Sequence, residues 1–202
     1  MFYLPSISIS SGNKVRLDFS ISSGRPVSDK FIELGLSSFA KAAQYVQQLP
    51  YKRNSNKTDI LSPLKEQRGT CSTKHALLAQ LAFENKHADV VLKLGIFRMG
   101  AKYSPAVGKV LSKYGLEFIP EAHNYLCYKG QVFDFTTPDA SPDKFFDDLI
   151  VEITIDPNEI TDFKVSYHKE LLQKWITYTP LSFTLDELWK IREECIVALS
   201  TN

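Results

Sequence analysis

The sequence predicts an α+β fold in which a cysteine-bearing helix packs against an antiparallel β-sheet, with helical additions at the N- and C-terminal ends. Three observations predict it. Residues from Cys71 to about Asn85 read as a helix that is apolar over much of its circumference, through Ala76, Leu77, Ala79, Leu81, Ala82 and Phe83. A helix in the middle of a domain has that pattern. Asp89 to Met99 is a run of strand-forming residues, and His123–Tyr128 and Gln131–Phe135 are two aromatic-rich runs around Lys129-Gly130. Two residues with glycine second, between such runs, are a hairpin signature.

The remaining elements follow in chain order. Residues 6–22 alternate and carry a turn at Ser11-Gly12-Asn13, which predicts two short strands with Val15, Leu17, Phe19 and Ile21 on one face. Ser28-Asp29 opens a helical region that Gly35 and Ser37-Ser38 divide and Pro50 ends. Residues 51–63 are polar and read as a solvated loop beside the cysteine. Pro105 starts a short helix that Tyr114-Gly115 stops. The tail holds a strand near 150–155, a helix around 167–177 and another at 185–199, the last opened by a Thr184/Glu187 capping box. The chain shows no repeat and no clear linker, so residues 1–202 read as one domain with a C-terminal helical extension from about 156.

Composition narrows the classes of function. Of 202 residues, 44% are hydrophobic and 12% aromatic, ample for a core. Twenty-four basic against 23 acidic residues give a net charge of +1, which argues against a nucleic-acid surface. No apolar run reaches transmembrane length, so no membrane partner is expected. The opening Met1-Phe-Tyr-Leu-Pro-Ser-Ile has neither the basic region nor the apolar core of a signal peptide. Cys71, Cys127 and Cys195 are odd in number and widely spaced, which describes neither a disulfide framework nor a zinc site and points to a reducing cytoplasm.

Chemistry concentrates at three residues. Thr70 can cap the cysteine helix, placing Cys71 at its first position. Unpartnered amides and the positive end of the helix dipole there favour a thiolate, and the thiolate is the nucleophile. If Lys129 and Gly130 are the turn, Tyr128 faces Gln131, Tyr125 faces Asp134 and His123 faces Thr136. His123, Tyr125 and Asp134 then share one face, because strand side chains alternate. His123 and Asp134 are diagonal neighbours that long side chains can join. A carboxylate beside an imidazole fixes its tautomer and steadies its positive form. Nucleophile, base and orienter are thereby all present.

Gly69-Thr-Cys71 opening an apolar helix, a following strand, His123 beginning another, and Asp134 in Val-Phe-Asp-Phe-Thr on the next resemble the transglutaminase-like superfamily of papain-like thiol enzymes. The resemblance covers roughly residues 37–138, and the order Cys, His, Asp is that of the family. It implies a papain/transglutaminase-like core and a cysteine-dependent acyl transfer, as an amide or peptide hydrolase or a transglutaminase. Cys71 would form a thioester and His123 would act as base and then acid, oriented by Asp134. The Cys71 backbone N–H and the side chain of Gln67 would hold the oxyanion, with Tyr125 shielding the pair. The substrate would be a protein, a peptide or a small amide, with no metal and no organic cofactor.

Alternatives stay open at this point. Asn124, Tyr125 and Ser72 stand where the family often places an aromatic residue, commonly tryptophan, which favours an inactive binding or scaffold module. Arg68-Gly-Thr-Cys71 partly resembles the motif of arylamine acetyltransferases, which would bind acyl-coenzyme A. His75, four residues after Cys71 on one helix face, could be the partner of the thiol or a metal ligand with Cys71 and His123. His87 and His168 read as surface residues, and Glu121, just before His123, either faces the cleft or is a surface carboxylate.

Overall fold

The computed structural model describes residues 15–200. Seven α-helices in that range are α1 (Pro26–Glu33), α2 (Phe39–Gln48), α3 (Ser62–Glu66), α4 (Cys71–Glu84), α5 (Pro105–Ser112), α6 (Asp162–Tyr178) and α7 (Leu185–Ser200). Four strands, β1 (Val90–Gly100), β2 (Phe118–Tyr128), β3 (Gln131–Phe133) and β4 (Leu149–Ile155), form an antiparallel sheet of order β3-β2-β1-β4. The architecture is α+β, and no helix among the described residues is long and apolar enough to cross a membrane.

Strand alternation sends side chains to two faces, and each face has its own core. Leu92, Leu94 and Ile96 of β1 with Ala122 and Leu126 of β2 meet Leu77, Leu78 and Leu81 of α4, together with Phe31 of α1 and Phe39 of α2. On the other face Phe97, Met99, Ile119 and Tyr125 pack with Leu111 of α5, Leu172 of α6, and Leu188, Ile191 and Cys195 of α7. The C-terminal helices therefore complete the second core. The last of them begins as expected, with the Thr184 and Glu187 side chains each bonded to the other's backbone N–H.

The hairpin keeps its expected register: Tyr128 faces Gln131 and Leu126 faces Phe133. Lys129 and Gly130 have φ of 48° and 75°, the two positive values that a tight turn between right-twisted strands demands. The strand stops at Phe133, however, one residue short of Asp134. Asp134 Oδ1 accepts from the Thr136 N–H at 2.9 Å and from its hydroxyl at 2.5 Å, a local turn that takes the chain off the sheet. Most of β2 consequently has no strand beyond it on that side.

Other expectations are corrected. The turn at residues 11–13 lies outside the described residues. Residues 15–22 form no ladder; they are an extended segment joined to residues 37–39 by Phe39 N–H to Phe19 and Ile21 N–H to Ser37, with Leu17 and Ile21 buried. Alternation there reports which side chains face the core, not strand pairing. Phe83 is 68% exposed, because it lies on the outward side of the last turn of α4 while Leu81 and Ala82 in that turn are fully buried. The helix expected at 167–177 begins at Asp162, which brings Lys164 into its first turn.

Candidate active site

Cys71 is the first residue of α4, after Thr70, whose N–H is received by the Thr73 hydroxyl at 3.0 Å. Gly69 has to be glycine for space: a Cβ there would lie 2.9 Å from Lys74 Cγ and 3.0 Å from Thr73 Oγ1. Its backbone exchanges hydrogen bonds with the strand-like residues Pro50 and Lys52, which carries Tyr51 to the cysteine. The Cys71 side of α4 abuts the uncovered edge of β2, where the Asn124 backbone N–H donates to the sulfur.

The structure brings the three chemistry-bearing residues together. His123 Nε2 lies 3.0 Å from Asp134 Oδ2, both side chains being 5% exposed. With Nε2 engaged by the carboxylate, Nδ1 is the nitrogen left to face Cys71, and imidazole and sulfur act on each other's ionisation. Burial alone would push the thiol up. The Lys164 ammonium, the charge and hydrogen bond of His123, and the Asn124 N–H outweigh it and bring Cys71 down to about 6. Burial would likewise push His123 down, but the charges of Asp134 and Cys71 carry it up to about 10. Asp134, also buried, is held well below the usual carboxylate range by His123 and by the Thr136 hydroxyl. The Cys71 and His123 shifts both run in the direction that favours thiolate and imidazolium over thiol and imidazole.

Lys164 is the residue that sequence reasoning missed. It is 8% exposed, and its ammonium donates to Ser72 Oγ and Asn124 Oδ1, each at 2.7 Å. Burial lowers its own pKa, against the upward pull of Cys71 and Glu121. Replacing it by methionine is expected to raise the Cys71 pKa and to cost about 1–3 kcal/mol of stability through the acceptors left without a donor. Iodoacetamide labelling of the Cys71 peptide against pH, read by mass spectrometry, checks the first effect. An unmoved midpoint would show that the ammonium does not act on the sulfur.

The expected oxyanion donor is placed elsewhere. Gln67 Nε2 donates to the Leu64 carbonyl at 2.6 Å and its Oε1 accepts from Tyr45 at 2.8 Å, so the amide is anchored at both ends to α3 and α2. The residue sits at φ 50° as the cap of α3, and that local turn decides its direction. Tyr125 is fully buried on the His123 face, its ring stacked against the imidazole at 6.1 Å between centroids and its hydroxyl donating to Glu152. It backs His123 as core packing.

His75 is neither a partner for the thiol nor a metal ligand. Its Nδ1 lies 2.8 Å from the Cys71 carbonyl oxygen, and its Nε2 accepts from the Phe135 N–H at 2.8 Å. An acceptor at Nε2 makes Nδ1 the protonated nitrogen, and burial lowers the ring to about 4, so it is neutral. Lys74, also fully buried, donates to the carbonyls of Leu49 and Thr136 at 2.5 and 2.6 Å. Together these two side chains grip the turn that presents Asp134. Among the described residues no cluster of three or more His, Cys, Asp or Glu side chains could hold a metal ion.

Glu121 and His168 are buried, not on the surface. Arg192 of α7 meets Glu121 in a two-pronged ion pair at 2.8 and 2.6 Å, and His168 Nε2 bonds the Pro120 carbonyl at 2.7 Å. Two cavities flank Tyr51. One of about 650 Å³ runs past Tyr103, Pro105, Asp134 and Thr136. The other, about 160 Å³, opens on Cys71, Lys164 and Arg192. No family model, no curated protein and no solved structure matches the chain.

Proposed function

We propose that the protein is a cysteine-dependent acyl-transfer enzyme of transglutaminase-like type, built on a papain-like core, and that its second half-reaction is hydrolysis. The observation that carries this reading is the line Asp134–His123–Cys71, with a thiol lowered to about 6 beside a raised imidazole. A sulfur in that state is a nucleophile at neutral pH without a proton transfer beforehand.

The thiolate attacks the carbonyl carbon of an amide, and the negative charge moves to the carbonyl oxygen. The Cys71 N–H, at the first position of α4 where no helical acceptor exists, is a donor for it. His123 gives its proton to the leaving nitrogen as the C–N bond breaks, leaving a thioester. It then takes a proton from water, which adds to the thioester and restores the thiolate. Asp134 keeps the ring oriented through both halves and steadies its charge. The substrate on this reading is a peptide or a small amide lying in the clefts on either side of Tyr51. All three cysteines are free, which supports a reducing compartment such as the cytoplasm.

The test is a trapped acyl-enzyme. p-Nitrophenyl acetate is expected to give a burst of nitrophenolate and an acetyl group on Cys71 that hydroxylamine removes, with neither in Cys71→Ser. Acetylation spread over lysines, with no burst, would sink the enzyme reading in favour of a binding module.

A further inference from the structure

The smaller cavity beside Cys71 has an unbalanced charge. Its walls carry four cations, Arg53, Lys57, Lys164 and Arg192, and two carboxylates, Glu121 and Glu193. Both carboxylates are used: Glu121 by Arg192, and Glu193 by Arg53 at 2.6 Å and Arg192 at 2.7 Å. That leaves two lysines against one remaining anion, the thiolate of Cys71, and so a surplus of one positive charge. Lys164 is held by the neutral oxygens of Ser72 and Asn124. Lys57, exposed at the rim, makes no ion pair among the described residues; Arg53 and Arg192 repel it, and Glu193 and Cys71 attract it. Arg53 and Lys57 are exposed at the mouth of the cavity and Lys164 is buried beside the sulfur, so the surplus positive charge runs from the rim inward and attracts an entering anion.

We propose that this cavity is the subsite for a carboxylate carried by the acyl substrate. The preferred substrate is then an anionic amide whose carboxylate lies within a few bonds of the attacked carbonyl, as at the C-terminal residue of a peptide. The inference rests on the acyl-transfer reading, which supplies the carbonyl at Cys71. Size supports it: about 160 Å³ suits one residue-sized group and not a folded segment. Position supports it too, since the two lysines and the sulfur line the same walls.

Iodoacetate and iodoacetamide test this, because they differ in charge and both let a thiolate displace iodide. Labelling of the Cys71 peptide by iodoacetate is expected to outpace labelling by iodoacetamide, on the order of tenfold at low salt, and to lose that lead as salt is raised. Lys57→Glu should reduce the ratio of the two rates. In parallel, glutarate is titrated into Cys71→Ser and followed by NMR, with saturable shifts expected that Lys57→Glu removes. A Cys71 that reacts fast with both reagents equally, with no glutarate bound, overturns the subsite and leaves acyl transfer standing. A Cys71 inert to both while glutarate binds sinks acyl transfer and keeps the anion site. A preference or binding that survives Lys57→Glu overturns the assignment to this cavity.

Discussion

His123→Ala is expected to slow alkylation of Cys71 at pH 7 by up to about 30-fold, as the thiol rises from about 6 toward the ordinary value of about 8.5 with burial and the Lys164 ammonium still acting on it in opposite senses. The sign follows from the forces on the sulfur. Burial opposes the thiolate, and His123 supplies both a charge and a hydrogen bond in its favour. The wild-type rate should climb with pH through a midpoint near 6 and then level off, because the lowered thiol is already ionised above that value. The variant should climb only in the alkaline range. The measurement is iodoacetamide labelling of the Cys71 peptide from acid to alkaline pH. Superimposable profiles would remove His123 from the chemistry and with it the thiolate–imidazolium pair.

Arg192→Ala is expected to destabilise the protein by about 3–5 kcal/mol, the usual loss when one partner of a buried ion pair is removed. Arg192 is 13% exposed and Glu121 7%, so the abandoned carboxylate would have little water to turn to. The guanidinium also lies over the Trp189 ring, 5.2 Å from its centroid, and bonds Glu193. Urea unfolding followed by circular dichroism measures the loss, and the double replacement Glu121→Gln with Arg192→Met should recover much of it. A single-variant loss below about 1 kcal/mol would class the pair with weak surface bridges.

Local rules made the backbone of the site readable in advance. The turn at Lys129-Gly130 set the hairpin register as far as Phe133, from which a turn of its own carries Asp134 to His123, and Thr70 set the start of α4. Both depend on residues close in sequence. Partnerships that cross the chain left no such trace. Lys164 joins Ser72 across 92 positions and Arg192 joins Glu121 across 71. A lone lysine or arginine on an amphipathic helix ordinarily reads as solvated. Lys74 was hidden for the same reason, since a polar residue inside a helix does not announce burial, and His75 stood out only by its spacing from Cys71, which gave it the wrong partner. Ser72 and Asn124 are instructive: read as gaps in an aromatic pattern, they turn out to be the two acceptors that hold Lys164. Gln67 shows the opposite case, a residue at a suggestive spacing whose own turn aims it away.

The early end of β3 has one more effect. A strand flank without a neighbour is a template on which another chain can add, and it invites aggregation. Along β2 that flank is stoppered by side chains: Cys71 receives the Asn124 N–H and His168 bonds the Pro120 carbonyl. A missing strand thus leaves room for the Cys71 thiol, and the thiol and a C-terminal helix in turn deny the bare flank to a stranger.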